Sequence, residues 1–265
     1  MALRIQNNVE AFNAHRNLSM TEGSLSKSME RLSSGYRINR AADDAAGLAI
    51  SERLRGQIQG LDQSQRNVQD AVSLVQTAEG SLTEVHAMLQ RVRELAVQYK
   101  NGSLSTADRT AIQSEVNQLA SEIERIGSSA KFNGVTLLAN SGLVTFQVGV
   151  NDAETISVST ISLGSVLGTF TGLGNSTAIS AIDAAIGAVS SARATFGAVQ
   201  NRLEHTLNNL SSYEENLTAS ESRIRDVDMA SEMVNFTKYQ ILQQAGTSML
   251  AQANSAPQGV LSLLR

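Results

Sequence analysis

The sequence lacks cysteine and tryptophan and has one proline, Pro257. The absence of cysteine excludes disulfides and thiolate metal sites. Because proline is the residue that most firmly ends a helix, the chain before Pro257 has only glycines and side-chain caps to separate its helices. Aromatic residues make up 4% of the chain and hydrophobic residues 42%. This mixture, with much alanine, leucine, isoleucine and valine, suits long helices and argues against an ordinary globular protein.

Charge and hydrophobicity exclude further classes of protein. The net charge is −4 and the pI is about 5.5, with acidic and basic residues interspersed, so nucleic acid has no basic patch to bind. No run approaches the ~18 apolar residues of a membrane helix, and we predict no membrane partner. Residues 1–20 contain no unbroken apolar segment, so we expect no secretory signal peptide. If the protein leaves the cell, another route carries it.

Apolar residues recur every three or four positions in the first half of the chain, which predicts one amphipathic helix from about Asp44 to Lys100. A second helix is expected after Ser105, because Ser105 and Asp108 resemble a capping box, and it should end near Gly127. The short connection makes the two helices antiparallel neighbours. The periodic positions of the first helix are Leu54, Ile58, Leu61, Val68, Val72, Val75, Ala78, Leu82, Val85, Leu89, Val92, Ala96 and Tyr99.

Between residues 132 and 160 the apolar pattern changes to a period of two, in "GVTLL", "VTFQVGV" and "TISVST". This alternation favours a small antiparallel set of strands. The segment that follows, residues 163–176, combines several glycines with few charges. We expect a surface loop there.

From residue 176 onward the pattern predicts helix again, first with apolar residues seven apart and then as an amphipathic helix that meets Pro257. We therefore predict a mainly α fold: a long antiparallel helical rod or coiled-coil bundle with a small β-hairpin region in the middle of the chain. Such helices leave apolar stripes for other copies to cover, which indicates a self-assembling protein. The predicted coiled-coil seam is Ile182, Val189, Phe196, Leu203, Leu210, Leu217 and Ile224.

Enzymatic chemistry finds little support in the sequence. The three histidines, His15, His86 and His205, lie far apart and form no HExxH zinc motif. The segment "GTFTGLG" lacks the lysine of a phosphate-binding loop. We predict no catalytic residue, no cofactor and no metal site.

Asp43 and Asp44 lie side by side before the first long helix. Adjacent residues of a helix point in different directions, so the two carboxylates do not form a catalytic pair. We expect them to cap the helix and complement its dipole. Pairing with Arg37 and Arg40 would fix the angle between the first forty residues and the long helix.

Several segments together resemble bacterial flagellin, over residues 1–160 and 176–265. In the first half these are "LSSGYRINRAADDAAGLAISERL", "LQRVRELAVQ", "FNGVTLL" and "FQVGVNDAETISV". In the second half they are "GAVQNRLE", "SRIRDVDMASE" and "ILQQAGTSMLAQANSAPQGVLSLLR". As a set these motifs are highly specific for that family.

The resemblance implies a structural subunit of the flagellar filament, used for swimming. Residues 1–42 and 226–265 would form an inner layer of terminal helices, and residues 43–175 and 176–225 the surrounding layer of longer helices and strands. The outer domains of many relatives are missing. The resemblance also implies export by the flagellar type III apparatus without a cleaved signal, an export chaperone on the C-terminal segment, an extracellular location, and contacts with cap and hook–filament junction proteins.

Immune recognition is a second implied role. In the family, the helix that carries "QRVRELAVQ" is bound by the Toll-like receptor that senses flagellin. The matching residues are Arg91, Leu95 and Gln98, with Glu115 on the neighbouring helix. An arginine that can donate two hydrogen bonds, next to an apolar leucine, would make a hot spot for receptor binding. The alternative is that Arg91 and Glu115 are ordinary surface residues and that Leu95 packs inside the protein.

Two other functions remain open at this point. A hook–filament junction adaptor shares helical ends with flagellin, although the ending "ANSAPQGVLSLLR" and the receptor-type helix favour flagellin. A secreted enzyme built on a similar rod would need a metal motif in the middle of the chain, and that region has no histidine.

Overall fold

The computed structural model describes residues 8–164 and 178–263. These residues form a mainly helical chain with two small antiparallel hairpins, and the predicted fold class is confirmed. The predicted loop at 163–176 lies, from residue 165 on, outside the described residues. The helices are α1 (Val9–Ser34), α2 (Ala45–Tyr99), α3 (Thr106–Ser129), α4 (Ala178–Arg225) and α5 (Met229–Leu263), and the strands are β1 (Lys131–Phe132), β2 (Val135–Thr136), β3 (Gly142–Gln147) and β4 (Thr155–Thr160).

The predicted capping box of α3 is confirmed. Ser105 Oγ accepts the Asp108 N–H at 3.2 Å, and Asp108 Oδ2 accepts the Ser105 N–H at 3.1 Å. Such a cap stabilises a helix by about 1 kcal/mol. The helix then continues past Gly127, where we expected it to end, as far as Ser129.

Pro257 does not end the last helix. Pro257 lies inside α5, which continues to Leu263. A proline inside a helix removes one hydrogen bond and favours a kink. It does not prevent the following residues from remaining helical.

Contacts divide the chain into two compact units, residues 1–56 with 216–265 and residues 57–215. In the first unit α1 packs against α5 in the antiparallel sense. Near one end of the pair the buried Ser28 hydroxyl donates to Glu232 Oε1 at 2.5 Å. At the other end the Asn8 amide donates to the Ala253 carbonyl at 2.7 Å.

Gly246 allows close packing of these two helices. A Cβ at Gly246 would lie 3.1 Å from Leu18 Cδ1, which is closer than ordinary van der Waals contact. The absence of a side chain at this position therefore lets the backbone of α5 approach the side chains of α1.

In the second unit, α2 pairs with both α3 and α4 in the antiparallel sense. Arg91 on α2 pairs with Glu115 on α3. Along α4 the partner number falls as the residue number on α2 rises, in the pairs Gln65–Glu214, Glu79–Arg193 and Arg93–Asp183. Because neighbours cover α2 on two sides, a wide sector of it is buried, including Leu61, Val68, Leu74, Val75, Leu82, Val85, Leu89, Val92 and Leu95, each at most 2% exposed.

The heptad positions of α4 differ in burial along the helix. Leu217 and Ile224 are half-buried. The positions that lie in the second unit are at most 7% exposed, and they are Ile182, Val189, Phe196, Leu203 and Leu210. The chain itself therefore covers that part of the apolar stripe.

The two hairpins follow local sequence rules. Asn133 and Gly134 join β1 to β2 with positive φ values of 46° and 83°, the conformation that a two-residue hairpin turn of type I′ requires. Strand β4 alternates strictly, with Ile156 and Val158 buried and Ser157 exposed between them. This alternation is the period of two from which the strand was predicted.

Candidate functional site

The two segments that join the terminal helices to the long helices lie side by side in the first unit. We name them, residues 35–44 and residues 225–228, the connector site. Gly35 ends α1 at a φ of 75°, a left-handed conformation that glycine adopts without strain. The Arg37 N–H donates to the Arg225 carbonyl at 2.7 Å, and the Val227 N–H donates to the Gly35 carbonyl at 3.0 Å. The two backbones are therefore bonded directly, as in an antiparallel bridge.

The side chain of Arg225 strengthens this junction. Its Nη1 lies 2.7 Å from Glu52 Oε1, and the side chain is 12% exposed. Its guanidinium carbon lies 4.7 Å from the centroid of the Tyr36 ring, which is the geometry of a cation–π contact. The hydrogen bond from Arg225 holds the pKa of Glu52 below its ordinary value. One side chain at the end of α4 therefore contacts both the first connector and α2.

Asp44 takes the predicted capping role, and Asp43 does not. Asp44 Oδ1 accepts the Gly47 N–H at 2.9 Å, which caps α2. Asp43 Oδ2 accepts the N–H groups of Asn39 and Arg40 at 3.3 and 3.1 Å, which closes a turn inside the connector. Asp43 Oδ1 lies 2.6 Å from Lys27 Nζ. The bond from Lys27, together with the backbone bond from Arg40, lowers the pKa of Asp43 to about 2.

The predicted pairing of Arg37 and Arg40 with the two aspartates is wrong. The Arg37 guanidinium donates to the Ile224 carbonyl, and Arg40 Nε donates to Glu30 Oε1 at 2.8 Å. The Asp43 carboxylate is already occupied by backbone N–H groups and Lys27, so the guanidinium groups of the two arginines bond elsewhere. All four residues still lie in the connector site.

An exposed polar patch covers the contact between α2 and α3. Arg91 Nη2 and Nε donate to Glu115 Oε1 at 3.0 and 3.1 Å, and Arg91 Nη1 donates to Glu94 at 3.2 Å. These bonds, that to Glu115 first, raise the pKa of Arg91. Gln98 is also exposed. The structure thus brings Arg91 and Glu115 into contact from different helices, and we name Arg91, Glu94, Gln98 and Glu115 the α2–α3 patch.

Leu95 does not belong to this patch. It is 2% exposed, like its neighbours Val92 and Ala96, so it packs inside the second unit. Its burial matches the alternative interpretation that Leu95 packs the helices.

The terminal helices expose many large apolar side chains. Phe12 on α1 is 71% exposed and Val234 on α5 is 69% exposed. Contiguous exposed apolar patches are typical of surfaces that meet another protein. We name these residues the apolar surface, and they are Val9, Phe12, Met20 and Met29 on α1, and Met229, Met233, Val234, Ile241, Leu242 and Met249 on α5.

The described residues offer neither a cluster of metal ligands nor a membrane-spanning helix. Residues 8–164 and 178–263 contain no group of three or more His, Cys, Asp or Glu that could hold a metal ion. None of the helices described here is both long enough and apolar enough to span a membrane.

Comparison with known families accounts for both ends of the chain. A model of the bacterial flagellin N-terminal helical region matches residues 5–142, and a model of the bacterial flagellin C-terminal helical region matches residues 179–264.

The chain belongs to the bacterial flagellin family.

Individual relatives match over nearly their whole length. A flagellin from Halalkalibacterium halodurans is 53% identical over 98% of this chain and 99% of its own. The flagellar filament 33 kDa core protein of Treponema phagedenis is 46% identical over the same shares. Only residues 143–178 separate the two matched flagellin regions, so this flagellin-family chain lacks a large variable domain between them.

A solved structure agrees in fold. The crystal structure of Bacillus cereus flagellin has a TM-score of 0.51 and 34% sequence identity, and it covers 59% of this chain and 94% of that chain. This similarity supports the helical fold with its small β region as a flagellin fold.

Sequence reasoning missed two features of the first unit. Arg225 lies within "SRIRDVDMASE", but nothing in its spacing indicates that it reaches Tyr36 and Glu52. The buried pair Ser28 and Glu232 is also unmarked, since each residue is polar and each stands in an ordinary helical pattern. Both features depend on contacts between the two ends of the sequence.

Proposed function

We propose that the chain is a structural subunit that assembles with copies of itself into the flagellar filament, which bacteria use for swimming. The observation that carries the proposal is the apolar surface of α1 and α5, where Phe12 and Val234 are each about 70% exposed. Family membership supports it, since a relative of nearly the same length is described as a filament core protein.

The energetics favour assembly. Fully burying one Phe, Val, Ile, Leu or Met side chain contributes about 1.5–3 kcal/mol, and the surface offers several of them. Association also loses translational and rotational freedom, which offsets part of that gain. When a surface meets a different surface of the next copy, the contact repeats without closing and produces a helical polymer. A filament is therefore the expected product.

Within the filament, residues 1–42 and 226–265 would form the inner layer, and residues 43–175 and 176–225 the surrounding layer. The connector site lies where these segments meet along the chain. Its paired backbones and the contacts of Arg225 would limit bending between the layers. Such stiffness is what a filament that transmits torque requires.

The remaining partners follow from family membership. A filament subunit acts outside the cell, and the family's type III route would carry it there without a cleaved signal. An export chaperone would bind the C-terminal segment, and cap and hook–filament junction proteins would contact the two ends of the filament. No enzymatic step is part of this function.

Recognition by the flagellin-sensing Toll-like receptor would use the α2–α3 patch. Arg91, Gln98 and Glu115 are exposed and available for contact. Leu95 would act indirectly, by packing α2 so that Arg91 and Glu115 meet in one place.

The alternative function is a hook–filament junction adaptor, which would act in few copies and form no long polymer. The decisive experiment is to dissociate the protein by heat, return it to high salt, and view it by negative-stain electron microscopy. We expect long uniform filaments. A chain that remains monomeric at every concentration and ionic strength would overturn the filament proposal and favour the adaptor.

A matched pair of variants tests the surface itself. Phe12→Ser with Val234→Ser should abolish filaments while the circular dichroism stays that of the parent chain. Leu143→Ser is the control, because Leu143 is as exposed as Phe12, at 71%, but lies on β3. Normal filaments from the double variant would show that the apolar surface is not the assembly contact.

A further inference from the structure

We propose that the methionines of the apolar surface form an oxidation-sensitive site, at which conversion to methionine sulfoxide blocks assembly until the sulfoxides are reduced. The oxidant would be a peroxide or a hypohalous acid. The inference rests on the proposed function, because it takes the apolar surface as the contact between copies of this chain.

The distribution of methionine in the fold carries the inference. Met20 and Met29 on α1 are 59% and 56% exposed. Met229, Met233 and Met249 on α5 are 50%, 49% and 64% exposed. Methionine side chains are therefore accessible to dissolved oxidant on both terminal helices and make up half of the apolar surface. Met88 on α2 in the second unit is half-buried and does not belong to the apolar surface.

Met249 adds a specific geometry. Together with Leu18 and Leu242 it lines a groove of about 400 Å³ between α1 and α5. A sulfoxide at Met249 would place a strong dipole in that groove, which is lined by Leu18 and Leu242 and also by the polar Asn17 and Thr21. Any apolar segment that fills the groove would then have to cover a polar oxygen.

The composition of the chain leaves methionine without more reactive competitors for oxidants. The sequence has no cysteine and no tryptophan. Thiolates are the protein groups that such oxidants attack most readily, and none is present here to react first. The exposed thioethers are therefore the most reactive side chains toward a peroxide.

The chemical step balances with the oxidant alone. A lone pair of the methionine sulfur attacks one oxygen of hydrogen peroxide, the O–O bond breaks, and an S–O bond forms. The sulfur loses two electrons, the peroxide gains them, and water leaves. The product is a polar, chiral side chain in place of a flexible apolar one.

The consequence for assembly follows from solvation. A thioether gains by leaving water, whereas a sulfoxide oxygen must find a hydrogen-bond donor or remain unpaired when it is covered. Oxidised chains should therefore assemble poorly. Chains that have already assembled should be protected, because their methionines are covered, so the unassembled subunit is the sensitive form.

The test treats the unassembled full chain with hydrogen peroxide, maps sulfoxides by peptide mass spectrometry, and measures the critical concentration for assembly by sedimentation. We expect oxidation at the five exposed methionines and a rise in critical concentration of at least about tenfold. Methionine sulfoxide reductases of both epimer specificities should restore assembly. In filaments treated with the same oxidant, the fraction of sulfoxide formed at these five positions should be much lower than in the unassembled chain.

A variant with leucine at positions 20, 29, 229, 233 and 249 should assemble equally well before and after peroxide. Leucine matches methionine in volume and helix propensity, so the apolar contact remains while the oxidation site is lost. Met88→Leu is the control and should lose assembly on oxidation as the parent chain does. If the untreated leucine variant fails to assemble, the reductase experiment on the oxidised parent chain still tests the inference. Restored assembly would support it, and no restoration would overturn it.

Unchanged assembly of the oxidised parent chain would overturn the inference while leaving the proposed function intact. Equal loss of assembly in the oxidised leucine variant would also overturn it, since another group would then be responsible. Failure of the untreated parent chain to assemble would instead contradict the proposed function itself and the inference with it.

Discussion

The guanidinium carbon of Arg225 lies 4.7 Å from the centroid of the Tyr36 ring, although the two residues are 189 positions apart in the sequence. The same guanidinium pairs with Glu52 at 2.7 Å. Arg225 thus closes the connector site in two ways. Its side chain contacts a ring and a carboxylate, and its backbone carbonyl accepts the Arg37 N–H of the facing connector. This arrangement makes Arg225 the residue whose loss should loosen the junction most.

We expect Arg225→Ala to lower the stability of the first unit by about 1–3 kcal/mol, because it removes a shielded cation–π contact and a charged hydrogen bond. Arg225→Lys keeps the charge but cannot stack and bond at once, so it should restore the loss only in part. Thermal unfolding followed by circular dichroism measures the change. The control is Arg223→Ala, since Arg223 is exposed and bonds only locally to Ser220. Equal losses for positions 223 and 225 would contradict the role of Arg225.

Two glycines of α2 should respond to alanine in opposite directions. A Cβ at Gly47 would lie 2.5 Å from Asp44 Oδ2 and 2.8 Å from Ile38 Cδ1, whereas a Cβ at Gly56 meets open space. Gly47→Ala would disturb the cap and the buried Ile38, and we expect a loss of about 1–3 kcal/mol. Gly56→Ala should gain about 0.5–1 kcal/mol from helix propensity. Chemical denaturation of both variants measures the sign of each change in the free energy of unfolding. A gain in stability for Gly47→Ala would mean that Asp44 and Ile38 can move aside to make room for a Cβ.

The long helices could be predicted from the sequence because local signals agree there. The start of α2 after Asp44, the capping box at Ser105 and the alternation of β4 each depend on residues that are close in the sequence. The burial of Leu74 could not be predicted in the same way, and that of Leu95 could be offered only as an alternative to an exposed role. Neither belongs to the periodic stripe, and both are buried because α2 has neighbours on two sides.

The details of the connector site were beyond sequence reasoning for a related physical reason. Asp43 and Asp44 have the same side chain and similar surroundings in the sequence, so both could be predicted as caps. Only the folded turn decides which carboxylate faces α2 and which faces Lys27. The partners of Arg225 are likewise set by the pairing of the two ends of the sequence, which no local pattern encodes.

The buried pair Ser28 and Glu232 should stabilise α1 against α5. Ser28→Ala removes the donor to one oxygen of Glu232, a residue that is 8% exposed, while Arg31 Nη1 stays 3.6 Å from the other oxygen. A buried acceptor that loses a hydrogen bond costs about 1–3 kcal/mol. Ser28→Ala combined with Glu232→Leu should be less destabilised than the sum of the single variants, because each single variant already removes the hydrogen bond between the two side chains. Glu232→Leu also removes the ion pair with Arg31, and it does so equally in both backgrounds. Ser26→Ala is the control, since Ser26 is exposed on the same helix. Additive losses in the double variant would show that the pair is not coupled.

The ion pair of Lys27 and Asp43 should make stability depend on pH in the acid range. The pKa of Asp43 falls from 3.8 to about 2 in the folded chain, chiefly through Lys27. A lowered folded pKa stabilises the fold above the unfolded value, and this contribution disappears as the pH falls from about 4 to about 2. The melting temperature of Asp43→Asn should therefore lie below that of the parent chain at pH 6 and approach it at pH 2. Lys27→Gln should reduce the same pH dependence, and a difference that stays constant from pH 6 to pH 2 would exclude this origin.

Substitutions at Arg91 and Leu95 should have different effects, one on the proposed receptor binding and the other on stability. Arg91 is exposed and pairs with Glu115 on another helix. The proposed recognition predicts that Arg91→Ala weakens binding of the ectodomain of the flagellin-sensing Toll-like receptor at least about tenfold while the melting temperature changes little. Leu95 is buried, so Leu95→Ala should instead lower stability by about 2–5 kcal/mol through the cavity it leaves. Arg125→Ala is the control, because Arg125 is also exposed but pairs with Glu122 within α3. Surface plasmon resonance and thermal unfolding on the same samples distinguish the two effects. If Leu95→Ala weakens binding without any loss of stability, Leu95 must contact the receptor directly, and α2 must rearrange to expose it.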